Sequence, residues 1–344
     1  MPLINNAVAI PVPSADMGFP GFVQFEMPGQ TDALVLSQST GTLSQRGRTQ
    51  IRASACNLQL KQDIEAPKQA KSPAFPFSSP YMDKMVHIVK PEIIEGNIEY
   101  PVSLSDAASP EEFDPTVDLW NISVDRTYQE RLRSFNTYVK YSAPESTFKY
   151  KDCFVNSFSI SCEQQDIMKI NVNLWAKNRE KTSFTGRKFP LNSRVVDWHD
   201  IFCNLRGQFG VVEGRWLRSF RINVSNNLQR FYTAGSNLLK AQDITPQLRD
   251  ISGDIILMGR HTWLAEHARN NAEHCSTDSS IEVGYSSPCT EIFAANGFEL
   301  VIPNVLFYVE EIQISNDIFE SKVRWMSLPA DKSMHTYPTI SGIF

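Results

Sequence analysis

Four residues in the C-terminal third, His261, His267, His274 and Cys275, are of the types that bind zinc. His267 and His274 are spaced to share one face of a helix. No second cysteine or carboxylate stands at a recognised ligand interval beside them, and the segment is polar enough for a solvated surface. A second cluster, Asp197, His199, Asp200 and Cys203, brings a thiol and candidate bases within a few positions. A cysteine nucleophile needs its base placed in space, and spacing along the chain does not supply that. Glu310 and Glu311, with Glu299 upstream, read as polar-face residues of strands rather than a catalytic pair. No Walker loop, GxGxxG or GxSxG occurs. The expectation is a chain that is not an enzyme and carries no catalytic residue, no cofactor and no metal.

The six cysteines (Cys56, Cys153, Cys162, Cys203, Cys275 and Cys289) form no CxxC pair. They read as small buried hydrophobes in a reducing compartment rather than disulfide partners. With 344 residues, 42% hydrophobic and 21% charged, the chain has the composition of a globular protein and room for two domains. A net charge of −5 gives no basic clamp for nucleic acid. No apolar run approaches the roughly 20 residues of a membrane helix, and the N-terminus has no basic leader before an apolar core.

What the sequence does carry is strand alternation, and it carries it twice. From Cys153 to Lys177, Phe154, Phe158 and Ile160 share one parity on a first arm. Met168, Ile170, Val172 and Leu174 alternate with Lys169, Asn171 and Asn173 on a second. The polar stretch Glu163–Asp166 joins them, so the segment reads as a hairpin with one apolar face. Val305–Leu328 repeats it. Sliding the first arm by 154 positions puts Val155, Phe158 and Ile160 on Val309, Ile312 and Ile314. Sliding the second by 151 puts Met168, Val172 and Leu174 on Phe319, Val323 and Trp325.

Two earlier elements match as well. Cys56, Leu58 and Leu60 reappear 164 positions on as Phe220, Ile222 and Val224. Pro91, followed by Gly96-Asn97-Ile98, reappears as Pro246, followed by Gly253-Asp254-Ile255, turn chemistry leading into a strand. A helix is expected after each: Asp125 caps Tyr128, Leu132 and Phe135 at helical spacing, and Thr262 caps Trp263–Asn271. The order and spacing favour a tandem duplication. The expected organisation is 1–48 as an N-terminal arm, or alternatively a disordered lead-in; 49–177 as a first domain; 178–214 as a linker or excursion; 215–330 as a second domain; and 331–344 as a tail.

The stretch SFRINVSNNLQRFYTAGSN, followed by ITPQLRDISGDIILMG and flanked by the two hairpins, resembles the tail tube proteins of long-tailed bacteriophages. The resemblance is closest over 215–328 and looser over 49–177. It implies a mainly β fold with short helices, here two tandem β-sandwich or barrel domains. Subunits would close into rings that stack as a tube, a virion component assembled in the host cytoplasm alongside other tail proteins. Genomic DNA would pass through the lumen without specific binding. With two domains per chain, homotrimeric rings would have approximate sixfold symmetry, and the hairpins would be the assembly elements. A trimeric baseplate hub of two fused tube-like domains is the alternative. A glycan-binding β-sandwich is a further one, although Trp175, Trp216 and Trp325 fall on expected strands instead of loops.

Because the histidines are assigned no ligand role, replacing His267, His274 and Cys275 together with alanine is expected to leave assembly unchanged. Stoichiometric zinc in the purified wild type, lost from the triple variant, would contradict this.

Overall fold

The structure is a computed structural model. It describes residues 20–26, 49–51, 53–61, 64–65, 88–89, 91–104, 115–124, 131–141, 147–182, 194–207, 210–212, 216–233, 240–259, 279–285, 297–315, 318–327 and 339–343. The chain is mainly β. Strands β1 (Pro20–Glu26) and β2 (Thr49–Ile51) come first. Next, β3 (Ala55–Cys56) and β4 (Gln59–Lys61) form one line of chain interrupted at Asn57 and Leu58. A small ribbon, β5 (Ile64–Glu65) with β6 (Ile88–Val89), precedes β7 (Ile93–Pro101) and β8 (Ser103–Leu104). The helix α1 (Pro115–Val124) leads to β9 (Phe135–Tyr141), β10 (Thr147–Glu163) and β11 (Lys169–Lys181).

After these come β12 (Arg194–Val195), β13 (Ile201–Gly207) and β14 (Gly210–Val212). Then β15 (Leu217–Ser225), β16 (Gln229–Phe231), β17 (Asp243–Thr245) and β18 (Asp250–Met258) follow. The last are β19 (Ser280–Tyr285), β20 (Gly297–Pro303), β21 (Val305–Ser315), β22 (Ile318–Ser327) and β23 (Thr339–Ile343).

One line of antiparallel neighbours runs through the large sheet: β3/β4, β7, β11, β10, β15, β18, β22, β21. The first four and the last four repeat one pairing order. Their registers agree residue by residue. Cys56 faces Ile98 as Phe220 faces Ile255, and Ile98 faces Val172 as Ile255 faces Val323. The slides of 164 and 151 read from the sequence therefore hold in space. The outer strands differ by two residues from the slide of 154, because Ile160 faces Ile170 where Ile312 faces Ser321. The even difference keeps the alternation of faces, which is why the sequence could not reveal it. Ser321, standing where Ile170 stands in the first half, is buried and donates to the Gly259 carbonyl at 2.9 Å.

The strand β10 turns a corner. Its later residues pair with β15, its earlier ones with β9, and β9 continues to β1 and β2. Asp152, with φ 50°, and a register break between Tyr150 and Cys153 mark the bend. A bulge between Val155 and Ser157 also reverses parity, so Phe154 faces away from Phe158. Phe154 joins a small cluster with Leu132, Leu228, Ala241 and Ile244, while Val155 and Phe158 enter the main core. The main core is shared with the second sheet, β14-β13-β19-β20-β23, through Leu205, Ile281, Val283, Leu300 and Ile302. The two sheets and the helix thus enclose one apolar interior.

Segments expected to be connections hold strands. The span 178–214 contains β12 to β14, residues before 48 contain β1, and the tail contains β23. The first helix also lies earlier than expected. It starts at Pro115, where a missing N–H costs nothing, and ends at Val124, where the expected helix would begin. Leu132 and Phe135 are buried, but in different clusters, and Phe135 opens β9 with its ring edge-on to Phe25. Their spacing belongs to non-helical chain leading into a strand, and Tyr128 lies outside the described residues. The second expected helix, Trp263–Asn271, lies outside the described residues.

Two glycines occupy matching places in β7 and β18. A Cβ on Gly96 would collide with the Cα of Leu58 and lie 2.6 Å from the Asn57 carbonyl oxygen. One on Gly253 would collide with the Arg221 carbonyl oxygen and lie 2.6 Å from the Trp325 ring. Gly96→Ala and Gly253→Ala are each expected to cost about 2–3 kcal/mol by overpacking, read as a lower urea midpoint. An unchanged midpoint would show that the close approach is relieved at no cost.

Candidate assembly interface

Where their side chains are described, the apolar hairpin residues face the chain's own interior. Phe158, Ile160, Met168, Ile170, Val172 and Leu174 are fully buried, as are Val323 and Trp325. In the second hairpin Val309 pairs with Val323, Ile312 with Ser321 and Ile314 with Phe319. β10 lies between β11 and β9 or β15, and β11 lies between β10 and β7 over Lys169–Ala176 while its end, Asn178–Lys181, pairs with β10 alone. The line of strands from β3/β4 to β21 has those two elements as its ends, and the branch through β9 and β1 ends separately at β2. Among the described residues each pairs on one side only.

Between those ends lies the contact that joins the halves, β10 against β15. Phe158 faces Val224, Ile160 faces Ile222 and Cys162 faces Phe220 on the apolar side. Backbone bonds from Asn226 N to the Asn156 carbonyl and from Gln164 N to the Arg218 carbonyl, both 2.8 Å, close its two ends. Asn226 is itself buried, and its Nδ2 donates to the Ser123 and Val155 carbonyls, each at 3.0 Å. Arg249 donates to the Val124 carbonyl. Side chains of the second half therefore satisfy carbonyls that the end of α1 leaves without helical partners. The helix in turn sets Trp120 edge-on to Phe158, 5.8 Å between ring centroids.

Further ties cross from half to half. The Arg230 guanidinium lies 3.6 Å from the Trp175 ring centroid and bonds Glu95 Oε2 at 3.1 Å. Lys177 meets Asp243 at 3.0 Å.

On the polar face, an amide row crosses the first half. Leu228 N donates to Asn156 Oδ1 at 3.1 Å, Asn156 Nδ2 to Asn173 Oδ1 at 3.1 Å, and Asn173 Nδ2 to Asn97 Oδ1 at 2.6 Å. Asn97 N continues the row to Asn57 Oδ1. At the positions matching Asn57, Asn97 and Asn173 stand Arg221, Asp254 and Arg324 on successive strands, and Tyr308, opposite Arg324, stands where Ser157 stands. Here an acid sits between two cations. Elsewhere on the same face Lys169 pairs with Asp166 at 2.7 Å and Lys61 with Glu95 at 3.5 Å. The cations are thus interleaved with acids and amides, not lined up as a basic row.

The sequence reading placed Asn173 on a polar strand face and Asn97 in turn chemistry, and missed their connection. The available signal was the recurrence of Asn at one register level in adjacent strands.

The candidate chemical clusters have structural explanations where they are described. Asp197 caps a short 3₁₀ turn, Trp198–Asp200, accepting from His199 N at 2.9 Å. Asp200 Oδ2 accepts from Asp197 N at 3.2 Å. Cys203 is a buried free thiol, pushed up to about 12 by burial, with Glu282 adding to the shift. Burial raises Cys153 and Cys162 to about 12 as well. Glu299 hydrogen-bonds Glu282, which is also held by Arg206 at 2.6 Å; Glu299 is raised and Glu282 lowered. Glu310 and Glu311 lie in a different sheet, at the β21 bulge. Trp325 is buried, Trp175 lies beneath Arg230, and Trp216 stands exposed just before β15. His261, His267, His274 and Cys275 lie outside the described residues. No metal-binding group of His, Cys, Asp or Glu occurs among the described residues, and no helix there is long and apolar enough to cross a membrane.

The buried amide provides a direct test of this joint. Asn226→Asp removes both donors and sets a carboxylate beside two carbonyls and the negative end of α1. A cost of about 3 kcal/mol is expected at neutral pH. The burial raises the carboxyl above its unfolded value, so the penalty is full at high pH and shrinks as pH falls through the folded value. Melting curves at pH 5 and pH 8 check this: equal losses at both would show that the carboxylate is solvated.

Comparison with curated proteins returns no match. Comparison with protein families matches residues 19–286 to a family described as phage tail tube protein, a span that takes in β1, the whole β10·β15 contact and β19. Covering well over half of the chain, that match establishes that the chain belongs to the phage tail tube protein family, a structural component of the virion tail.

Proposed function

We propose that the chain is the major tube subunit and that three copies close each ring, with the rings stacking into the channel for the genome. The observation that carries this reading is the repeated four-strand order with matching registers, joined within one chain at β10·β15. Each half then fills one of six equivalent ring positions. Three chains supply twenty-four strands in a closed barrel, with exact threefold and approximate sixfold symmetry. At about 4.8 Å between strands and a tilt of about 40°, such a barrel is roughly 45–50 Å across between backbones. That leaves space for a DNA duplex.

The side assigned to the lumen is the polar face, since the opposite face is filled by the core shared with the second sheet. An uncharged amide row and interleaved ions suit a wall along which DNA must slide. Phosphate would be held by unopposed arginine or lysine rows. The hub alternative uses the same closed ring without stacking. The family match supports the tube.

Electron microscopy of the purified, assembled protein tests this reading. Extended tubes with three chains per ring are the expected result. Discrete trimers would favour the hub, and six chains per ring would overturn the pairing of halves as ring positions.

A further inference from the structure

Where β10 turns its corner, the branch through β9 and β1 carries a reactive set of side chains. Three of them donate to one oxygen, Glu26 Oε2. The Tyr138 hydroxyl does so at 2.7 Å, Asn136 Nδ2 at 3.3 Å and Lys149 Nζ at 3.3 Å. The ladder sets this up. Glu26 faces Asn136 and Lys149 faces Tyr138, so Lys149 and Asn136 are diagonal neighbours on one face, within reach of a long side chain. The site is partly shielded from water: the Lys149 and Glu26 side chains are 20% and 19% exposed, and Tyr138 is buried. The bend supplies one more part. Asp152, at φ 50°, donates its backbone N–H to Asn136 Oδ1 at 3.4 Å. The Asn136 amide thus has an amine and a carboxylate beside it and an N–H donor on its oxygen.

We propose that Lys149 and Asn136 join in a covalent amide bond, with Glu26 as the proton carrier, in a single self-reaction of the folded chain. The Lys149 ammonium passes a proton to Glu26, and the neutral Nζ attacks Asn136 Cγ. The new C–N bond forms as the carbonyl electron pair moves onto Oδ1, where the Asp152 N–H stabilises the negative charge. Glu26 returns its proton to Nδ2 and takes a second one from Nζ. The carbonyl re-forms, the Cγ–Nδ2 bond breaks, and ammonia leaves, taking up as ammonium the proton that Glu26 holds. An ammonium and a primary amide have become a secondary amide and an ammonium ion. No oxidant, reductant or cofactor enters, and Glu26 ends as the carboxylate it began as.

The fold supplies the proximity that makes such a reaction intramolecular. Burial pulls the Lys149 ammonium down, but the Tyr138 hydroxyl and Glu26 more than reverse this, so the amine rests protonated above its ordinary range. The attacking form is therefore scarce at neutral pH. The reaction is a slow maturation whose rate rises with pH. Its product would fasten β9 to β10 just before β10 leaves for the large sheet, so that the β1–β9 branch could not unzip from the corner. The loop closed is short, which places the gain in resistance to opening more than in equilibrium stability.

The intact mass of the denatured wild-type protein, followed during incubation at pH 8, decides the proposal. The expected result is the loss of one ammonia per chain, growing with time and faster at higher pH. Tandem mass spectrometry of a digest should show the Lys149 peptide joined to the Asn136 peptide. Lys149→Arg keeps a cation beside Glu26, and Glu26→Gln keeps the shape of the site; both should retain the full mass. A wild-type mass unchanged after prolonged incubation would overturn the proposal. So would an ammonia loss that persists in Lys149→Arg, which would be cyclisation at an asparagine, or a link from Lys149 to Glu26 with loss of water. A link forming at the wild-type rate in Glu26→Gln would remove Glu26 from its role. Should Glu26→Gln not fold, the wild-type mass and Lys149→Arg decide without it. None of these outcomes depends on assembly, so the tube reading stands or falls separately.

Discussion

The structure depends on one antiparallel contact, β10 against β15. Remove it and the twelve-stranded sheet separates into an eight-strand piece and a four-strand piece, each with a new free edge. The contact is held on both sides. Beneath it, Phe158, Ile160, Cys162, Phe220, Ile222 and Val224 bury an apolar strip in the common core. Beside it, Asn226 spends its amide on two carbonyls, one from β10 and one from the end of α1. A buried amide that satisfies carbonyls on two different elements fixes their relative placement, because sliding either one leaves polar groups unmatched. The first half cannot finish its helix without the second.

The lack of isolation between halves bears on what was legible from sequence. Period-two alternation marked the hairpins, the β3/β4 line and β15, whose described residues alternate between the core and a polar environment. The match of Gly96-Asn97-Ile98 to Gly253-Asp254-Ile255 was readable because a close backbone approach demands glycine at that level in both halves. The first helix was misplaced because Leu132 and Phe135 mimic helical spacing while belonging to separate clusters. The strands in 178–214 went unread although Cys203 and Leu205 alternate with Asn204 and Arg206, the pattern being short and flanked by glycines. The parity switch at the Val155–Ser157 bulge, which sends Phe154 into the small cluster, leaves no mark in the alternation of one sequence.

The hairpin residues expected to serve assembly lie on β10, β11, β21 and β22 or immediately beside them. Apolar alternation identifies the face that is buried, and here the chain buries that face itself. Pairing between molecules uses backbone groups at a strand's edge, and those leave no residue-type signature. Only the order of strands shows that β10 and β11 are interior while β21 and β3/β4 are terminal.

Divergence between the halves then acquires a physical meaning. Where the first half crosses the polar face with Asn57, Asn97 and Asn173, the second uses Arg221, Asp254 and Arg324. Six identical subunits would line every position alike. Two linked halves let neutral and charge-paired stripes alternate around a wall. They also let the two kinds of junction differ. The internal one closes with every chain that folds, because its partners are covalently linked and their effective concentration does not depend on protein concentration. The external one closes only when chains meet. In the proposed ring of three, closure would need three encounters instead of six, and half of the strand-edge joints would already be made in the monomer. The long exposed edges that invite uncontrolled pairing are correspondingly halved while the subunit waits to assemble.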